Sequence, residues 1–176
     1  MLGGDLDAFG ALLQRHQGKV YSIAANFAAN ADDASDLAQE VFLKAYRSLA
    51  RFRGQSAFST WLYRIAVNAC VDYARRRGRA GCVPLDDDVL LPECEVGLDP
   101  QEEMERRQLR LALARAIGGL SLKLRAALIL HDIEGLTHEE IARVVGCSIG
   151  TTKSRLFRAR EEVRRRLKEE TEVPYK

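Results

Sequence analysis

At 176 residues, 47% hydrophobic and 30% charged with a net charge of +2, the chain has the composition of an ordinary soluble protein, able to bury one modest core or two small ones. No apolar run approaches the roughly 20 residues that span a bilayer, and the start MLGGDLDAFG lacks the basic-then-apolar pattern of a signal peptide, so a cytoplasmic location is expected. Cys70, Cys82, Cys94 and Cys147 form no CxxC pair and fall at no zinc-ligand spacing, which argues against a metal site and for free thiols.

Apolar residues recur at helical spacing almost throughout and no stretch reads as a β-hairpin, so the expected fold class is all-α. A first helix is expected from about Leu6 to Phe27, its apolar side made of Phe9, Leu12, Leu13, Val20, Ile23, Ala24 and Phe27. Asn30 to Asp33 interrupts the pattern. A second helix, Ala34 to Leu49, carries Leu37, Val41, Ala45 and Leu49 on one stripe and acidic residues at its start, where the helix dipole favours them. Arg51 to Ser56 reads as a loop. A third helix from near Ala57 aligns Phe58, Leu62, Ile65, Ala66, Ala69 and Tyr73 before the basic run Arg75 to Arg79, and these three helices can close one core.

Periodicity then disappears. Residues 80–98 hold Gly81, Pro84, Pro92 and Gly97, and between Gly81 and Glu105 there are nine acidic residues and no basic one. That is the signature of a flexible acidic linker between two small helical domains, residues 1–79 and 99–176. Order is expected to resume at Asp99-Pro100-Gln101-Glu102, with Asp99 as cap, Pro100 at the first helical position and a stop at Gly118-Gly119.

Residues 119–167 carry the most informative pattern. Ser121 can cap a helix with Leu124, Ala127, Leu128 and Ile133 inward, ending at Glu134-Gly135. Thr137-His-Glu-Glu140 has capping-box form, with Leu136 and Ile141 placed as a hydrophobic staple, and Gly146 stops the short helix that follows. Ser148 can cap a last helix whose inward stripe is Ile149, Thr152, Leu156, Ala159, Val163 and Leu167. Lys153 to Lys168 sets eight basic residues against two acidic ones. Two helices joined by a tight Gly turn, the second rich in donors, form a helix-turn-helix that inserts its second helix into the major groove. Lys153, Ser154, Phe157 and Arg158 are placed near bases, and Thr151, Arg155 and Arg160 near phosphates. The alternative is a plain helical hairpin with a solvated basic face.

The segment LSLKLRAALILHDIEGLTHEEIARVVGCSIGTTKSRLFRAREEVRRRL, Leu120 to Leu167, resembles the promoter-reading C-terminal domain of extracytoplasmic-function sigma factors, and GLTHEEIA followed by GTTKSRLFRAR is its most specific part. DLAQEVFLKAYRSLARFRGQSAFSTWLYRIAVNACVDYARRR, Asp36 to Arg77, is similar to the domain of the same family that binds core RNA polymerase and melts the start site. The resemblance implies a subunit without catalytic residues, cofactor or small-molecule substrate, whose partners are core polymerase (β′ coiled coil and β flap), promoter DNA and an anti-sigma factor, often membrane-anchored. It places Asp36, Gln39, Glu40, Phe42, Leu43 and Tyr46 against the β′ coiled coil, although Phe42 and Tyr46 could equally cover core. It places Ser56, Ala57, Phe58, Trp61, Arg64, Asn68, Arg75 and Arg76 at the unpaired strand near minus ten, where stacking surfaces and cations are needed. Trp61 is a wedge or a core residue, which its exposure decides. Departures from the family pattern are the abrupt start, Thr152 where Val is usual, and Leu120 to Leu124 in place of a proline-containing approach.

Two other functions compete. A stand-alone helix-turn-helix regulator would bind operator DNA without polymerase. An enzyme is disfavoured because His16, His131 and His138 are scattered, Asp86 to Asp88 fall in the linker, and no phosphate-cradling loop or nucleophile elbow occurs.

Overall fold

The computed structural model describes residues 6–78 and 100–171. The described residues form seven α-helices and no strand. These are α1 (Leu6–Ala25), α2 (Ala31–Ser48), α3 (Phe58–Gly78), α4 (Pro100–Gly118), α5 (Leu122–Leu128), α6 (His138–Val145) and α7 (Ile149–Thr171). The expected linker and the Asp99 cap lie outside the described residues.

Helices α1, α2 and α3 pack pairwise on one another. The core is built from the expected stripes, with Val20, Ile23, Ala24, Phe27, Leu37, Val41, Ala45, Leu62, Ala66 and Ala69 all buried. Leu12 departs from its stripe and is exposed, because it sits ahead of the part of α1 that α2 and α3 cover. The Asn30–Asp33 interruption is shorter than its composition suggests. Asn30 is the N-cap of α2, its side chain accepting from the Asp33 backbone N–H, and Asp32 and Asp33 form the acidic first turn. The helix therefore starts at Ala31 instead of Ala34.

In the C-terminal half, α7 packs along α4, α5 and α6. The helix ends follow local rules with one exception. Thr137 and Glu140 make both bonds of the capping box, at 3.3 and 2.8 Å. Gly146 closes α6 with φ of 67°, a left-handed conformation that a side chain would strain. Ser148 accepts from the Thr151 N–H at 3.1 Å and caps α7. Ser121 precedes α5 as expected but makes no capping bond. The helix it starts does not run regularly to Ile133: from Ile129 to Ile133 the chain widens into a π-turn, with the Glu134 N–H bonded to the Ile129 carbonyl. The wider turn rotates Ile133 out of the inward row, and it is 39% exposed.

The two halves touch. Helix α6 crosses α3, and α5 meets its side. Tyr63 and Val67, which lie off the inner stripe of α3, are buried for that reason. Lys19 of α1 donates to the Glu134 carbonyl at 3.1 Å, and the Arg125 guanidinium lies 5.5 Å from the Phe27 ring centre. Among the described residues, the buried side-chain polar atoms without a partner in the chain are Asn26 Oδ1, Arg125 Nε and Glu134 Oε1, all near this junction. Burying an unpaired polar atom costs about 1–3 kcal/mol, so the contact is a weak one for its extent.

Candidate nucleic-acid and polymerase interfaces

The exposed face of α7 is set by its buried one. Thr152, Leu156 and Ala159 are buried against α5 and α6. The Thr152 hydroxyl, where an apolar residue would pack as well, donates to the Ser148 carbonyl at 3.3 Å and so is not left unpaired. Turned to the other side are Gly150, Lys153, Ser154, Phe157 and Arg158, all exposed, Phe157 at 69%. Among the described residues neither Lys153 nor Arg158 has an ion-pair partner. Thr151 is half-buried, its hydroxyl 2.9 Å from that of Ser148, and Arg155 is half-buried with Nη1 3.6 Å from the Cys147 sulfur.

One residue falls elsewhere than its spacing suggests. Ile149 is not inward: it is 41% exposed. Side chains lean toward the N-terminal end of their helix, so the first residue of α7 projects beyond the packed part. Arg160 forms a fork with Asp132, Nε to Oδ2 at 3.0 Å and Nη2 to Oδ1 at 2.5 Å. Those bonds hold the Asp132 carboxyl below its ordinary range. Asp132 itself is presented by the π-turn, with His131 Nδ1 2.8 Å from it and the His131 and His138 rings 4.8 Å apart.

At the start of α3 the aromatic residues form one cluster. Phe58 and Trp61 ring centres lie 5.5 Å apart, and Phe52 stands 5.0 Å from Trp61 and 6.0 Å from Phe58. Phe52 was not singled out from the sequence, although an aromatic residue six before Phe58 in a Gly-containing loop was a usable signal. Trp61 is half-buried against the core with one side accessible, between the two alternatives. Ser56 is half-buried and Ala57 exposed beside this cluster. Further along, Arg64 and Asn68 share the exposed face one turn apart, and Arg64 donates to the Arg143 carbonyl in α6. Arg75 lies 3.8 Å from Asp72, and Arg76 3.8 Å from Glu40. The neighbouring Arg77, not chosen from the sequence, pairs with Asp33 at 2.5 Å and so ties α3 to the start of α2.

On α2, Asp36, Gln39, Leu43 and Tyr46 face outward, with Leu43 at 56% and Tyr46 at 52% exposure. Glu40 is held by Lys44 at 2.6 Å. Phe42 divides the two readings made of it, being half-buried against the core. A cavity of about 520 Å³ opens between α4, α5 and α7, walled by Leu113, Ile117, Leu128, Val163 and Leu167 and bordered by Asn26 from the N-terminal half.

Among the described residues no group of three or more His, Cys, Asp or Glu could hold a metal ion, and no helix is long and apolar enough to cross a membrane.

Comparison with known proteins gives two family matches, Sigma-70 region 2 over residues 12–80 and Sigma-70, region 4 over residues 110–163. The chain is 41% identical over 169 residues to the RNA polymerase sigma-H factor of Pseudomonas aeruginosa, covering 91% of this chain and 86% of the relative. It is 39% identical over 173 residues to the ECF RNA polymerase sigma-E factor of Haemophilus influenzae, covering 93% and 89%. Among solved structures it is similar to the sigma factor RpoE of Bartonella quintana in complex with the anti-sigma factor NepR, with a TM-score of 0.71 and 28% identity over 92% of this chain and 97% of that one. It is also similar to CnrH in complex with the cytosolic domain of CnrY, with a TM-score of 0.69 and 27% identity over 94% and 90%.

Proposed function

The chain belongs to the sigma-70 family, as a sigma factor of the extracytoplasmic-function type, and we propose that it acts without catalysis of its own by dividing promoter recognition between its two halves. The α2 surface around Leu43 and Tyr46 docks on the β′ coiled coil of core polymerase. The Phe52, Phe58 and Trp61 cluster, with Arg64, Asn68, Arg75 and Arg76, takes the separated strand near minus ten, since unpaired bases need stacking faces and cationic support. The outer face of α7 enters the major groove near minus thirty-five, with Lys153, Ser154, Phe157 and Arg158 at base edges and Thr151 and Arg155 toward phosphates. The apolar cavity beside α4 receives the β flap. The protein works in the cytoplasm, where the polymerase is, under an anti-sigma factor that covers these surfaces.

The observation that carries this reading is the exposed row of donors and apolar side chains on α7, in a helix-turn-helix whose caps are all in place. Run-off transcription tests it: core polymerase given this chain should start transcripts at defined sites in a library of genomic fragments, and neither component should do so alone. Specific binding of duplex DNA by the chain without polymerase would favour a stand-alone regulator instead.

A further inference from the structure

Resting on the reading of α7 as the major-groove helix, we propose that Ile149 is a specificity-determining residue that packs against the 5-methyl group of a thymine in the upstream promoter element. The exposed side of α7 consists of two rows at four-residue spacing. One is Gly150, Ser154 and Arg158, and the other is Ile149, Lys153 and Phe157, so the second row has an apolar side chain at each end of a cation. Neither Ile149 nor Phe157 covers core, and both leave apolar surface in water. In the major groove the one apolar group on a base edge is the thymine methyl, which suits an aliphatic or aromatic partner and not a hydrogen-bonding one.

Position and stiffness both favour Ile149 for this task. Residues at the N-terminal end of a recognition helix reach deepest toward base edges, and Ile149 is the first residue of α7. Its β-branched side chain has little rotamer freedom to lose on contact. Beside it, Gly150 carries no side chain and a Cβ there would be in ordinary contact with the Ser148 hydroxyl at 3.9 Å, so nothing at this position projects beyond Ile149 toward the DNA. Eight residues at about 1.5 Å rise separate Ile149 from Phe157 by roughly 12 Å, three to four base pairs at about 3.4 Å each. The two apolar ends therefore address two different thymines of one element.

The test uses holoenzyme made from core polymerase and the full chain, on a promoter selected by that holoenzyme. Each thymine of the upstream element is replaced in turn by deoxyuridine, which removes the methyl and leaves every hydrogen-bonding group. The parent chain should lose about fourfold in binding at two positions three or four base pairs apart, the effect of one methyl contact. Ile149→Ala should be indifferent to deoxyuridine at one of those positions and keep the loss at the other, while Phe157→Ala does the reverse. Ile149→Val should keep the sensitivity. Helicity and melting of each variant are measured alongside, so that a folding defect, which lowers binding to all promoters equally, is separated from loss of one methyl contact. The proposal is overturned if Ile149→Ala remains as sensitive as the parent at every thymine, or if the parent is sensitive at none. Failure of the parent to select any promoter would instead overturn the reading of α7 itself.

Discussion

Arg64 of α3 donates from its guanidinium to the backbone carbonyl of Arg143 in α6, so a residue proposed for the melted strand is engaged by the helix-turn-helix. The two promoter elements are about 25 base pairs apart, roughly 85 Å at 3.4 Å per pair. Two halves held together through α3 and α6 cannot place both proposed reading surfaces on their elements at once. The free chain should therefore keep its two halves in contact. With the four native cysteines replaced by serine, energy transfer between dyes at Asp72→Cys and Lys123→Cys should be high in the free chain and fall when core polymerase and promoter are added. High transfer in a complex that is making transcripts would contradict the separation.

Glu134 gives that junction a dependence on pH. Its carboxyl faces Lys19 and Ser22 of α1 and lies near Tyr63 of α3, and burial raises its pKa despite the bond to Ser22 and the charge of Lys19. The ionised form therefore penalises the closed arrangement at neutral pH. The penalty fades as pH falls through the raised pKa and is gone below the ordinary carboxylate value. Two other groups stand nearby. Tyr63, pushed up to about 12 mainly by burial, with Glu134 and Glu140 adding to the shift, stays neutral throughout, and His16, lowered by burial and by Arg15 and Lys19, packs on Phe58 and Tyr63 within its own half of the chain. Glu134→Gln isolates the carboxyl. It should raise transfer in the dye pair at neutral pH and flatten its rise between neutrality and about pH 5. An unchanged pH profile in the Gln variant would assign the dependence to another group.

Much of the local structure was legible because it is written in short-range chemistry. Thr137 to Glu140, Gly146 and Ser148 specify their own caps, and Lys153, Ser154, Phe157 and Arg158 follow from a buried stripe that begins at Thr152. What escaped depends on residues far apart. Arg160 has its partner 28 positions earlier, on a π-turn that no periodicity announces. Ile149 obeys the inward spacing but, as the first residue of its helix, stays 41% exposed. Tyr63 and Val67 are buried by a helix from the other half of the chain, and a stripe on α3 cannot reveal that a second face will be covered.

The Arg160 fork changes what its removal should do. Arg158→Ala should weaken binding at one promoter position by about 1–3 kcal/mol, because an arginine at a base edge is read by that base alone. Arg155→Ala should weaken all sequences alike and reduce the salt dependence by about one phosphate contact. Arg160→Ala, by contrast, frees Asp132 from a partly exposed pair and should cost up to about 1 kcal/mol of stability in the C-terminal half. Melting curves and salt titrations of the three variants separate these effects. An Arg160→Ala variant with unchanged melting and a lowered salt slope would mean that its role is at phosphate after all.

Leu43 and Tyr46 offer the cleanest separation of docking from folding. Both are more than half exposed on α2 while Leu37, Val41 and Ala45 hold the helix from the opposite side, so substituting the outer pair leaves the core untouched. Surface changes of this kind alter stability by about 0.5 kcal/mol or less. An apolar anchor at the centre of an interface is worth more, commonly 2 kcal/mol or beyond on truncation. Leu43→Glu adds the desolvation of a carboxylate to that loss. It should melt like the parent yet compete poorly for core polymerase, with affinity down about 30-fold or more. Lys44→Ala, which removes only the exposed ion pair to Glu40, serves as the neighbouring control and should change affinity little. Equal affinity of the parent and Leu43→Glu in a competition assay with labelled parent would remove α2 from the docking surface and direct attention to the cavity beside α4.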